Sequence, residues 1–170
     1  MSENQTETES ETGAGSALRV LIVDDEELAR DGLALRLQGA DGIELVGSCA
    51  NGTEAIAAIL DEAPDVVFLD IQMPGMTGFE VIEQLQAEVM PLIVFVTAYD
   101  AYAVDAFRVH AVDYLLKPVE EERLQESLNA VRAQLAQRRA ENQKQRLMEI
   151  VISATGKSKQ AIGELLDRGD

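Results

Sequence analysis

Five short apolar runs divide the chain: Leu18 to Val23, Ile43 to Cys49, Val66 to Leu69, Leu92 to Val96 and Val112 to Leu116. They recur at intervals of roughly 20 to 27 residues, the length of one βα unit, and predict a five-stranded parallel sheet. The third and fourth runs are unbroken, as strands covered on both faces require. In the second run Ile43, Leu45, Gly47 and Cys49 alternate with Glu44, Val46 and Ser48, and the fifth contains Asp113, so these two read as edge strands. The doubly wound, flavodoxin-like α/β order 2-1-3-4-5 satisfies all five.

Helical spacing and start signals lie between the runs. Asn51-x-x-Glu54 and Thr77-x-x-Glu80 predict capping boxes, in which the first side chain accepts from an orphan amide and the glutamate reaches back. Ile56, Ile59 and Leu60, then Ile82, Leu85 and Val89, form one-sided stripes behind them. After Pro118, the acidic Glu120, Glu121 and Glu122 suit the positive end of a helix dipole. Leu124, Leu128, Val131 and Leu135 follow at helical spacing, either packing within the domain or running outward as a short coiled coil.

Charge sharpens the division. The chain carries 14 Lys+Arg against 31 Asp+Glu, a formal charge of −17, which excludes nonspecific polyanion binding by its whole surface. Residues 1–17 hold four Glu and no base among polar and small residues, and predict a disordered acidic leader. Residues 18–119 hold 18 acids and five bases, so each base there stands out, Lys117 above all. Residues 138–170 read as a linker beyond a domain spanning 18–137. The single Cys49 can form neither an internal disulfide nor a cysteine metal cage. With no apolar run near 18 residues and no basic-then-apolar leader, the chain reads as cytosolic, without a membrane partner.

Chemistry gathers where the strands end. The first run stops at Asp24 and Asp25, the third at Asp70, the fourth at Thr97 and the fifth at Lys117. In an open parallel sheet all of these lie at the carboxyl edge, where such folds bind ligands. Three carboxylates so placed repel one another, by about 4 kcal/mol per close pair at an effective dielectric near 20, and need a cation. Oxygen ligands suit a hard divalent ion such as Mg²⁺. With Lys117 as a second positive charge and Thr97 as a hydroxyl donor, the set is equipped to stabilise a phosphoryl group in transfer. Asp70 stands alone after a buried strand and is assigned as the nucleophile that becomes an acyl phosphate; Asp24 and Asp25 hold metal. Any one of the three could instead serve as a helix N-cap, which the whole set together argues against.

The stretches Val23-Asp24-Asp25-Glu26, Leu69-Asp70-Ile71-Gln72-Met73-Pro74-Gly75-Met76-Thr77-Gly78, Val96-Thr97-Ala98 and Tyr114-Leu115-Leu116-Lys117-Pro118 resemble the receiver domain of two-component response regulators over roughly residues 18–137. The resemblance implies Asp70 as phosphoacceptor from a histidine kinase. Asp25, Asp70 and the Gln72 backbone carbonyl would be direct Mg²⁺ ligands, with Asp24 acting through water, and Thr97 and Lys117 would contact the phosphoryl oxygens. In receivers the Lys-Pro bond is commonly cis, which would aim Lys117 into the site. Small Ala98 leaves room for the phosphoryl group. Tyr114 looks like the aromatic switch that turns inward with Thr97, or else an ordinary edge-strand aromatic. Gln72 and Tyr99 flank the phosphate position, where they tune dephosphorylation or serve as plain loop residues.

Residues Thr97 to Pro118 further resemble the LytTR-type regulators, whose receivers precede a mostly β DNA-binding domain. The chain stops at Asp170, leaving no room for that domain, so either it is cut after the linker or it is a receiver acting alone through protein contacts. The resemblance implies a phosphorylation-linked homodimer through the fourth helix, fifth strand and fifth helix. Transcriptional output would then come from DNA contacts made by a domain outside this chain.

Other signals are set aside. Ala154-Thr155-Gly156-Lys157-Ser158 lacks the P-loop's first glycine, since Val151 stands there. His110 is solitary and reads as an exposed helix-end residue, Cys49 as filler on an edge strand. Arg138, Arg139, Lys144 and Arg146 read as a solvated linker face. An aspartate-nucleophile phosphatase would need an acid two residues past Asp70, where Gln72 stands, so the chain reads as a switch protein rather than an enzyme of turnover.

Overall fold

Strands and helices alternate from Leu18 to Thr155 in the computed structural model, which describes residues 17–156 and 158–167. The leader expected over 1–17 lies outside the described residues except for Ala17. The elements are β1 Leu18–Val23, α1 Glu27–Gln38, β2 Ile43–Cys49, α2 Gly52–Glu62, β3 Val66–Leu69, α3 Gly78–Glu83, β4 Leu92–Thr97, α4 Ala103–Arg108, β5 Asp113–Leu116, α5 Glu121–Thr155 and α6 Lys159–Asp167. All five strands pair in parallel in the order β2-β1-β3-β4-β5. This is the doubly wound arrangement expected, with the less apolar runs at the edges.

Strand alternation sends successive side chains to opposite faces, and each face has its own core. Val20, Ile22, Phe68, Val94 and Leu115 pack with Leu37 of α1 and with Leu124, Leu128, Val131 and Leu135 of α5. Leu21, Val23, Val67, Leu69 and Phe95 pack on the other side with Ile59 of α2, Val81 of α3 and Ala106 of α4. Hence β3 is apolar throughout, β1 and β4 depart from that only at Arg19 and Thr97, and β3 and β4 are buried at every position.

Several expectations shift in detail. Thr77 and Glu80 form the complete capping box, whereas the Asn51 side chain accepts from the Glu54 amide and Glu54 reaches back to Ala50 instead of Asn51. The stripe Ile82, Leu85, Val89 does not belong to one helix: α3 ends at Glu83, and Val89 sits exposed on a 3₁₀ turn, Ala87–Val89. Pro91 disfavours helical backbone at Met90, which ends the 3₁₀ turn just where the chain must enter β4. Leu60 is likewise exposed, leaving Ala55 and Ile59 as the buried face of α2.

The Leu124–Leu135 stripe packs within the domain, and α5 then continues unbroken past residue 137 to Thr155. At 1.5 Å per residue its length is about 52 Å. Arg138 and Arg139 are more than a solvated face. Arg138 donates to the Met90 carbonyl and Arg139 pairs with Asp65, tying the helix to the amino edge of the sheet. His110 is exposed just past α4 with φ 60°. Gly156 caps α5 in the left-handed region at φ 75°, consistent with setting the P-loop aside. Among the described residues no helix is long and apolar enough to cross a membrane.

Candidate functional site at the carboxyl edge of the sheet

The β1 and β3 ends lie side by side, with Val23 paired to Leu69, so the residues that follow them emerge together. The Asp70 amide donates to the Val23 carbonyl at 2.9 Å, and the Asp24 amide to the Cys49 carbonyl at 3.0 Å. These backbone bonds fix where both carboxylates leave the sheet. Asp24, Asp25 and Asp70 each place a carboxylate oxygen within 4.8 Å of the others. Asp24 and Asp70 are 5% and 6% exposed, whereas Asp25 faces solvent.

On the other side, the Lys117 amide donates to the Thr97 carbonyl at 2.9 Å, continuing the β4–β5 pairing to the edge. The Lys117–Pro118 peptide is cis, as the resemblance suggested. Lys117 Nζ stands 2.7 Å from Asp24 Oδ2, 3.1 Å from Asp70 Oδ2 and 3.2 Å from Glu26 Oε1. One ammonium therefore bridges both buried carboxylates. Burial alone would lower the Lys117 pKa, but hydrogen bonds and charge from Asp24 and Asp70 outweigh it and raise it. Burial pushes the Asp70 carboxyl above the usual carboxylate range despite the pull of Lys117, and Asp24 adds to the rise.

The three carboxylates are not equivalent. Asp24 has both oxygens engaged, Oδ1 accepting the Glu26 amide at 2.9 Å and Oδ2 the lysine. Asp25 makes no side-chain hydrogen bond or ion pair among the described residues and is free to ligate. Three oxygen donors so close, two of them buried, fit a hard divalent cation, with Asp25 and Asp70 better placed as direct ligands than Asp24.

Thr97 is fully buried, its hydroxyl facing the Tyr99 amide at 3.4 Å. Tyr114 is half-buried; its hydroxyl donates to the Tyr99 carbonyl. Gln72 is exposed, and its side chain donates to the Tyr102 hydroxyl at 2.6 Å. Cys49 is buried at the end of β2 and touches the site through its carbonyl, which accepts the Asp24 amide.

Four contributors escaped sequence reasoning. Glu26 is a third carboxylate on Lys117, legible only as part of an acidic run. Arg36 of α1 donates to the Val119 carbonyl, holding the segment after Lys117 against α1. A Cβ on Gly78 would lie 2.5 Å from the Asp70 carbonyl oxygen, so only glycine lets α3 start this close to the end of β3. Its signal was its place directly after the Thr77 cap. No linear pattern marks Tyr102, because its partner lies 30 positions away.

Comparison with known proteins agrees with this geometry. A family model described as the response regulator receiver domain matches residues 20–129. The chain is similar to the transcriptional regulatory protein BtsR of Salmonella typhi, 56% identical over 115 residues that make up 68% of this chain and 48% of that protein. It is also similar to BtsR of Escherichia coli K12, 52% identical over 115 residues with the same shares, 68% and 48%. The chain thus spans about half the length of the curated relatives it matches. Among solved structures, the response regulatory domain of mrkE from Klebsiella pneumoniae is similar at 34% identity and TM-score 0.63, covering 70% of this chain and 98% of that one. The REC domain of AraT from Geobacillus stearothermophilus is similar at 32% identity and TM-score 0.64, covering 72% and 98%. With the family model matching more than half of it, the chain belongs to the response regulator receiver domain family, the phosphoacceptor-switch module of two-component systems.

Proposed function

We propose that Asp70 accepts a phosphoryl group from the phosphohistidine of a sensor histidine kinase, and that this switches the chain between two association states. The observation that carries the proposal is Asp70 itself: a buried carboxylate at the end of a buried strand, within 4.8 Å of Asp24 and Asp25 and held by Lys117. An Asp70 carboxylate oxygen attacks phosphorus, the N–P bond of the donor breaks, and the imidazole nitrogen leaves with its electron pair. Receiver domains bind Mg²⁺ at an acidic pocket; here Asp25, Asp70 and the Gln72 carbonyl would hold it, with Asp24 through water. Bound there, it supplies charge neutralisation for the transferring oxygens. Lys117 loses part of its hold on Asp70 and turns to a phosphoryl oxygen, and the Thr97 hydroxyl donates to another.

The acyl phosphate carries about −2 charge. Drawing Thr97 toward it frees space into which Tyr114 turns, which alters the face formed by α4, β5 and α5. Homodimerisation through that face is the output of the receiver. A coupling of about 1–3 kcal/mol changes partner affinity from several-fold to about a hundredfold. BtsR is named a transcriptional regulatory protein and is about twice as long as the matched region. We infer a LytTR-type regulator in which residues 18–137 are the cytoplasmic receiver, 1–17 a leader and 138–170 a linker toward a DNA-binding domain. Incubation with acetyl phosphate and Mg²⁺, followed by intact-mass measurement, tests the acceptor: a gain of one phosphoryl group in the wild type and none in Asp70→Asn is expected. An equal gain in the variant moves the acceptor elsewhere.

A further inference from the structure

We propose that Tyr102 is a positioning residue for the Asp70 site. Its phenol latches the amino end of α4 to the β3–α3 loop in the resting chain, and holds the Gln72 side chain away from free rotation beside Asp70. The latch stands on geometry alone; its effect on phosphate lifetime rests on Asp70 being the acceptor.

Tyr102 immediately precedes α4 and makes no side-chain cap for that helix. Its hydroxyl is instead committed to Gln72 Nε2 at 2.6 Å, two residues past Asp70. The ring is held on two sides, 6.1 Å from Phe79 and 6.4 Å edge-on from Tyr99. Phe79 in turn lies 5.0 Å from Phe95, and Phe95 lies 6.4 Å from Tyr114. The Tyr114 hydroxyl donates to the Tyr99 carbonyl, and the Tyr99 ring lies edge-on to Tyr102. Tyr102 therefore touches the loop after the acceptor with its hydroxyl and the aromatic cluster beneath α4 with its ring.

Little else restrains α4. It has six residues, too few for a helix stable by itself. Only Ala106 is buried, while Val104 and Phe107 are 62% and 82% exposed. An element with so few buried contacts opens readily, so single ties matter. An open cleft of about 380 Å³, lined by Gln72, Met73, Pro74, Thr77, Phe79 and Tyr102, leaves Gln72 room to swing once released. Whatever repositions Gln72 beside Asp70 consequently pulls on α4 through Tyr102, separately from any Thr97–Tyr114 movement.

The test uses Tyr102→Phe, which keeps the ring contacts and removes the acceptor, Gln72→Met, which keeps the side-chain length, and the double variant. The first readout needs no phosphodonor: exchange of the Ala106 and Val109 amides, which donate to the Tyr102 and Asp105 carbonyls. A net hydrogen bond shifts such an opening equilibrium by about two- to tenfold. Exchange faster by that factor in each single variant, and no faster in the double, supports the latch. Wild-type exchange in Tyr102→Phe, or additive effects in the double, overturns it.

The second readout is acyl-phosphate lifetime after acetyl phosphate is removed. A shorter lifetime, equal in Tyr102→Phe and Gln72→Met, is expected, and Gln38→Met, at the exposed last residue of α1, serves as the control that leaves it unchanged. An unchanged lifetime beside faster exchange overturns the hold on Gln72 at the acceptor. Absence of any phosphoryl gain in the wild type overturns the Asp70 assignment, whereas the exchange result still decides the latch.

Discussion

Removing the ammonium of Lys117 is the most direct probe of what holds the acidic edge together. Lys117→Met keeps the stem volume and deletes contacts of 2.7 Å to Asp24, 3.1 Å to Asp70 and 3.2 Å to Glu26. The neighbouring Arg30 does not substitute, because its guanidinium is spent on the Asp24 backbone carbonyl at 2.7 Å. Two carboxylates only 5% and 6% exposed are then left facing each other. At about 4 Å and an effective dielectric near 20 their repulsion is about 4 kcal/mol. Breaking a buried pair by deleting one partner typically costs 3–5 kcal/mol.

The lysine itself is 18% exposed, so the lower end applies, about 3 kcal/mol. Urea unfolding followed by circular dichroism in EDTA at pH 7.5 reads this as a lower midpoint with unchanged slope. Adding Asp70→Asn removes one of the two opposed charges and recovers about 2 kcal/mol, the remainder being Asp24 without its partner. The deficit also shrinks as pH is lowered through the raised Asp70 pKa, since protonation removes the same charge. A Lys117→Met chain within 0.5 kcal/mol of wild type, or a loss equally large with Asn at 70, refutes the electrostatic account.

Gly78→Ala forces a Cβ to 2.5 Å from the Asp70 carbonyl and 3.2 Å from the Ile71 Cα, neither of which can yield cheaply. Overpacking of about 1–3 kcal/mol and slower phosphorylation are expected; an unchanged melting temperature with normal phosphoryl uptake contradicts it. Ser127 is fully buried in α5, and its Oγ has no partner among the described residues. Ser127→Ala therefore stabilises the chain by about 1 kcal/mol, read as a higher urea midpoint, and a lower midpoint shows the hydroxyl to be satisfied.

Burial first, and Glu54 second, push the Cys49 thiol up to about 11 against the pull of Arg30. At pH 8.5 iodoacetamide should label native protein roughly a hundredfold more slowly than urea-unfolded protein. Equal rates dispose of the raised value. Because the folded thiol keeps its proton longer than the unfolded one, its contribution to stability is present below about pH 9. It is lost as pH climbs toward about 11.

Periodicity alone carried the sheet. The unbroken Val66–Leu69 and Leu92–Val96 runs had to be interior strands, and alternation with Asp113 marked edges, because burial on one face or two leaves different residue patterns. The same reasoning brought Asp24, Asp25, Asp70, Thr97 and Lys117 to one rim, since parallel strands end together. Contacts between segments distant in sequence were decided only by tertiary packing. Lys117 bridging Asp24, Asp70 and Glu26, Arg36 on the Val119 carbonyl, Arg139 on Asp65 and Tyr102 on Gln72 each join residues whose separation in sequence has no period. The early end of α3 belongs there too: its apolar stripe reads on toward Val89, but helical spacing records which residues could share a face. Where the backbone must leave the helix to enter the next strand is set by the sheet it returns to.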